Sequence, residues 1–74
     1  MNQQELKDKA LQMLCEEHLW KENEWDAFEY EGEHYAITRL EKGWELSNTY
    51  NKKKVYPTLG RLFGSFFRHL GIKY

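Results

Sequence analysis

Cysteine, proline and long apolar runs are scarce in this chain of 74 residues, and each scarcity excludes a class of protein. The one cysteine, Cys15, cannot form an internal disulfide, whereas small secreted domains usually depend on several. No apolar run approaches the roughly 18 residues of a membrane span, and the first residues lack the basic and apolar regions of a signal peptide. We therefore expect a soluble cytoplasmic protein with no membrane contact.

The chain also lacks internal repeats and linkers rich in proline, glycine or serine, so nothing indicates a domain boundary. We expect a single domain over residues 1–74, too small for most enzyme folds. Leucine, isoleucine and valine together number only twelve, but twelve phenylalanines, tyrosines and tryptophans accompany them. Because each aromatic side chain buries roughly 150–250 Å², these rings can complete a core that the aliphatic residues alone could not.

Positive charge is scarce in the first half of the chain, and negative charge is scarce in the second half. Residues 1–38 carry three lysines against ten carboxylates, and residues 39–74 carry eight basic side chains against two carboxylates. The net charge of −1 therefore conceals an acidic half and a basic half. We expect segregated acidic and basic surfaces; the alternative is that the two halves neutralise each other within the fold.

Hydrophobic periodicity predicts a helix at each end of the chain. Asn2 and Glu5 have the spacing of a capping box, and an apolar stripe follows, which predicts a helix over about residues 3–20. A second stripe predicts a helix that Thr58 caps at its start and Gly71 at its end. The apolar positions of the second stripe are Leu59, Leu62, Phe63, Phe66, Phe67 and Leu70.

Between the helices the pattern alternates, which predicts three strands over residues 25–30, 34–40 and 44–50. Glu31-Gly32 and Glu41-Lys42-Gly43 supply turns between them. Two-residue loops would place the largest set of apolar side chains on one sheet face: Phe28, Tyr30, Tyr35, Ile37, Trp44 and Leu46. The predicted fold is α+β, in the order α-β-β-β-α, with a three-stranded antiparallel sheet and both helices packed on one face.

The basic half supplies the most informative candidate site. Lys52, Lys53 and Lys54 are predicted to lie in a polar connection, residues 51–54, just ahead of the last helix, whose N-terminus favours an anion. Arg61 and Arg68 continue the positive charge along the polar side of that helix. These five residues form a candidate site for a phosphate backbone or an acidic protein surface; the alternative is that the lysines only keep the chain soluble.

Glu29, Glu31 and Glu33 around the first hairpin form a candidate acidic surface for a partner. As a catalytic pair they would need desolvation, which an exposed turn does not provide. Cys15 and His18 have the spacing of two metal ligands, but no second pair accompanies them. We therefore expect no catalytic residues, no metal and no cofactor.

Gly60 and Gly64 stand four residues apart in the last helix, where each costs about 1 kcal/mol relative to alanine. We interpret them as a point of close backbone approach, within the chain or to another subunit.

Two functions follow from these features. The first is a small non-catalytic interaction module, an adaptor or inhibitor, that binds another protein through its charged surfaces with exposed aromatic side chains as anchors. A homo-oligomer is a further hypothesis, through opposite charges or through Gly60 and Gly64.

The alternative is nucleic-acid binding. The element order, Gly32-Glu33-His34 in the first hairpin and the lysines before the last helix resemble double-stranded RNA-binding domains. The resemblance implies contacts to phosphates and 2′-hydroxyls from the hairpin and the helix start. The chain departs from that family at Pro57, which separates the lysines from the helix, in its aromatic last helix and in its acidic first helix.

Overall fold

The computed structural model describes residues 1–50 and 52–73. Its elements, in chain order, are α1 (Gln3–Glu16), a 3₁₀ turn (Glu17–Leu19), β1 (Trp25–Tyr30), β2 (Glu33–Leu40), β3 (Gly43–Asn48), β4 (Lys53–Tyr56) and α2 (Leu59–Leu70). The strands form one antiparallel sheet in the order β1-β2-β3-β4. The predicted α+β class is confirmed.

The predicted number of strands is wrong, because the sheet has four. Lys53 and Lys54 pair with Ser47 and Leu46 of β3, where the sequence predicted a polar connection. β4 is a short edge strand with exposed side chains, so its residues do not show the apolar alternation of a half-buried strand. Asn51, which opens the predicted connection, lies outside the described residues.

The predicted register is confirmed, because two-residue loops join β1 to β2 and β2 to β3. Glu31 and Gly32 both adopt positive φ, +50° and +80°, as the tightest hairpin turns require. Gly43 opens β3 at φ +151°, and a Cβ there would lie 2.4 Å from the carbonyl oxygen of Tyr56. Glycine at position 43 therefore lets the end of β4 approach β3.

The helix ends follow the predicted caps. Asn2 and Glu5 form the capping box, Thr58 Oγ1 accepts from the backbone N–H of Arg61, and Gly71 ends α2 in the left-handed conformation. The α-helical part of α1 stops at Glu16, earlier than the predicted residue 20, because the chain tightens there into the 3₁₀ turn.

The two helices contact the same face of the sheet. Lys9 of α1 reaches the carboxylate of Asp26 and lies 5.5 Å from the ring centre of Phe28. Phe66 of α2 lies 4.8 Å from the ring centre of Tyr35 and also meets Phe28 edge to face. The core between these layers includes Leu6, Ala10, Met13, Ile37, Trp44, Leu62, Phe63 and Phe67.

The other side chains of the strands alternate onto the opposite face. Trp25 and Val55 lie there and are 67% and 59% exposed. Neither helix in the part of the chain that the structure describes is long and apolar enough to cross a lipid bilayer.

The close packing predicted at Gly60 and Gly64 is absent from the described residues. No atom beyond their own stretch of helix lies within 4 Å of the position that a Cβ would take at either glycine. The interpretation that these glycines admit another element of this chain is therefore wrong, because α2 packs through the opposite, apolar stripe.

Candidate anion-binding groove

A groove of about 780 Å³ opens between the β3–β4 hairpin and the second half of α2. We call it the basic groove. Four cationic side chains and one carboxylate line it: Lys52, Lys53, Lys54, Arg68 and Glu33. The remaining lining residues are Tyr35, Leu46, Ser47, Asn48, Tyr56, Ser65, Phe66 and His69.

The fold assembles this groove because the chain reverses between β4 and α2. The last turns of α2, which carry Arg68, thereby come to lie beside Lys52, which immediately precedes β4. The hydroxyl of Tyr56 donates to Ser65 Oγ at 3.2 Å and links β4 to α2 across the groove. Four of the five predicted basic residues therefore line one groove, near the end of α2 and not at its start.

The lysines do not sit at the start of the last helix, as the sequence predicted. They lie beside its C-terminal turns, because residues 53–56 form a strand that runs toward the helix start and carries the lysines at its far end. Arg61 belongs to the first turn of α2 and does not line the groove. The N-terminus of α2 therefore does not contribute its partial charge to this site.

The strand register distributes the lysines over both faces of the sheet edge. Lys54 pairs with Leu46 on the side of the helices, and Lys53 pairs with Ser47 on the opposite side. All three lysines are exposed. A ligand at this edge would therefore meet positive charge from both faces of β4.

The floor of the groove is apolar and well packed. Tyr35 and Phe66 are buried against each other, and Leu46 is half-buried beside them. Rings held in van der Waals contact on several sides have little freedom to move. A bound molecule would thus meet a firm apolar base surrounded by cations.

The loop that follows β3 carries an exposed aromatic ring, Tyr50, two residues before Lys52 in the sequence. Asn48 Oδ1 accepts from the backbone N–H groups of Tyr50 and Lys52, at 3.0 and 3.1 Å. This side-chain turn restrains the loop, and Tyr50 is 72% exposed. Asn48 is a turn signal that can be recognised in the sequence. The sequence pattern did not indicate that the ring of Tyr50 is exposed.

The three glutamates of the first hairpin do not form one acidic surface. Glu29 faces away from the helices, with its Oε2 3.7 Å from His34 Nε2. Glu33 faces the helices and lines the basic groove, where its Oε2 accepts from the hydroxyl of Tyr35 at 2.8 Å. Glu31 lies in the turn between them. Acidic and basic side chains therefore adjoin at this end of the molecule.

Two tyrosines near the hairpin have raised pKa values. Burial, with the hydrogen bond to Glu33 second, raises the pKa of Tyr35 to about 12. Burial also raises the pKa of Tyr30, and the Glu31 carboxylate adds to that effect. Both phenols are therefore neutral donors at physiological pH and cannot act as bases there.

The residues with the spacing of metal ligands lie on the surface. Cys15 and His18 are both exposed, and among residues 1–50 and 52–73 no three histidine, cysteine or carboxylate side chains are placed to hold a metal ion. The described residues thus offer a binding groove as the strongest candidate site.

Comparison of the chain with protein-family models, with curated proteins and with solved structures gave no match. The function is therefore argued from the geometry of the basic groove.

Proposed function

We propose that the chain is a small non-catalytic interaction module whose basic groove binds an acidic segment of another protein. The observation that carries this proposal is the convergence of Lys52, Lys53, Lys54 and Arg68 on one groove with an apolar floor. Clustered cations attract and orient an acidic partner. The apolar floor adds a place for one uncharged side chain between the acidic ones.

The size of the groove supports a peptide segment as its occupant. About 780 Å³ lies within the roughly 300–1,000 Å³ typical of sites for small ligands. Recognition of a nucleic-acid duplex buries on the order of 1,000 Å² or more of protein surface, about a fifth of the 5205 Å² that this chain exposes. A duplex would therefore extend well beyond the groove, whereas a short peptide segment would not.

The exposed ring of Tyr50 supports the same proposal. An exposed tyrosine supplies a large contact area at low conformational cost and is enriched in protein interfaces. Its loop is already held by Asn48, so little additional ordering accompanies binding.

Fluorescence anisotropy with labelled acidic peptides tests the proposal. The probe is a twelve-residue peptide of glutamates with one central leucine, titrated at about 50 mM and about 300 mM salt. Replacing Lys52, Lys53 and Lys54 with alanine should weaken binding about tenfold at low salt, since exposed ion pairs contribute roughly 0.2–1 kcal/mol each. The difference should shrink at high salt.

The chain offers a matched control for the loss of three charges. Lys7, Lys21 and Lys42 lie outside the groove, and their replacement with alanine changes the net charge by the same amount. This variant should bind the peptide with nearly the affinity of the original chain. Equal losses in both triple variants would contradict the proposal. The nucleic-acid alternative would be favoured if duplex RNA bound more tightly than the peptide and if replacing Lys52, Lys53 and Lys54 with alanine abolished that binding.

A further inference from the structure

One wall of the basic groove is β4, the edge strand of the sheet. Among the described residues β4 pairs with β3 alone. Asn48 N–H donates to the carbonyl oxygen of Lys52 at 3.2 Å. The backbone carbonyl of Lys52 therefore points toward β3, and this contact identifies which residues of β4 hydrogen-bond to β3. Because backbone groups alternate in direction along such a strand, those of Lys54 and Tyr56 point toward β3. The N–H and C=O groups of Lys53 and Val55 therefore point away from the sheet.

The charge of this edge selects what can pair with it. Lys53 and Lys54 flank the outward backbone groups on opposite faces of the sheet. Two copies of this edge brought together would oppose lysine with lysine, and lysines on edge strands disfavour such pairing. An acidic strand would replace that repulsion with attraction.

We propose that the acidic segment binds as a fifth strand, antiparallel to β4. This inference rests on the proposed function and adds the mode of binding, in which backbone hydrogen bonds provide affinity and alternate side chains provide specificity. Side chains on the helix side of the added strand would lie over Lys54 and Arg68 and should be acidic, apart from one uncharged side chain over the apolar floor. Side chains on the opposite side would meet Val55, which is 59% exposed, and should be apolar.

The same geometry limits the length of the added strand. β4 has four residues, and Pro57 follows it directly. Since proline has no backbone N–H to donate, the ladder cannot continue past this point. The partner segment should therefore alternate acidic and apolar residues over about five positions.

Selective methylation of the peptide backbone tests the inference. The probe is a ten-residue peptide in which glutamate alternates with valine. In antiparallel addition, the peptide residues that hydrogen-bond to Lys53 and Val55 lie directly opposite them. Their side chains therefore lie on the sheet face that carries Val55, where the valines of the peptide are expected. N-methylation of the valine amides should weaken binding at least about tenfold, whereas N-methylation of the glutamate amides should leave it within about twofold.

Variants of the protein give an independent readout. Val55→Pro removes an outward N–H without removing a bond to β3 and should weaken binding of the unmethylated peptide about tenfold. Val55→Ala retains that N–H and should weaken it less than about threefold. Thermal unfolding tests whether Val55→Pro is folded. If the variant is not folded, the methylated peptides still test strand addition with the unaltered protein.

The outcomes separate the two proposals. Loss of binding with only one of the two methylated peptides supports strand addition, and loss at the valine amides supports the antiparallel direction. If both methylated peptides bind as the parent does, or lose affinity equally, strand addition is overturned while the acidic groove ligand stands. If no glutamate-containing peptide binds, the proposed function fails and the fifth strand fails with it. Concentration-dependent self-association of the unaltered chain that Val55→Pro abolishes would likewise overturn the acidic partner strand.

Discussion

Replacing Gly43 with alanine tests the junction between β3 and β4 that forms the wall of the basic groove. The new Cβ would lie 2.4 Å from the Tyr56 carbonyl oxygen. Ordinary contact requires the end of β4 to withdraw by about 1 Å, which costs roughly 1–3 kcal/mol. The φ of +151° adds strain of roughly 1–3 kcal/mol for a residue with a side chain. We expect a total loss of about 3 kcal/mol.

Thermal unfolding followed by circular dichroism measures this loss. For a domain of this size 1 kcal/mol changes Tm by roughly 4–8 °C, so Gly43→Ala should lower Tm by roughly 12–24 °C. Gly60→Ala is the matched control, because its Cβ would enter open space on a helix; it should raise Tm by roughly 4–8 °C. A Gly43→Ala variant as stable as the original chain would refute the reasoning.

Two further predictions concern the hairpin and the start of α2. Above pH 10 the Tyr35 phenol ionises in the unfolded chain but stays neutral in the folded one up to about pH 12; stability should therefore be unaffected below pH 10 and fall between pH 10 and 12. Urea unfolding at several pH values should show that Tyr35→Phe reduces this fall, and an unchanged slope would contradict it. Thr58→Ala should lower the free energy of unfolding by about 1 kcal/mol because the cap to the Arg61 N–H is lost. Thr58→Ser should retain most of that stability, and equal losses in the two variants would exclude the cap as the cause.

Elements with strong local signals could be predicted from the sequence. The capping box at Asn2, the cap at Thr58 and the six-residue apolar stripe of α2 each depend on neighbours within one or two helical turns. The register of the first three strands followed from which loops gather the large side chains on one face. The caps and the stripe depend on local chemistry, and the register depends only on the requirement that one sheet face be buried.

β4 could not be predicted in this way, because its first three residues are exposed and are held by pairing with β3, and only Tyr56 packs against the core. Lysines in sequence look the same in a loop and on an exposed edge strand. The location of the candidate site depended on this one strand, which moves the lysines from the start of α2 to its end. The interpretation that Gly60 and Gly64 admit another element of this chain was wrong for a related reason: two glycines four residues apart permit close backbone approach, but only the packing shows whether another element uses it.

The central claim is that the basic groove binds an acidic segment, and mapping of backbone amide resonances by NMR tests it most directly. On titration with the glutamate-valine peptide, the largest changes should fall on Lys52–Tyr56 and on Ser65, Arg68 and His69. Amides of α1, which lies outside this groove, should change little. Changes centred on α1 or on β1, with the groove amides unmoved, would contradict the account.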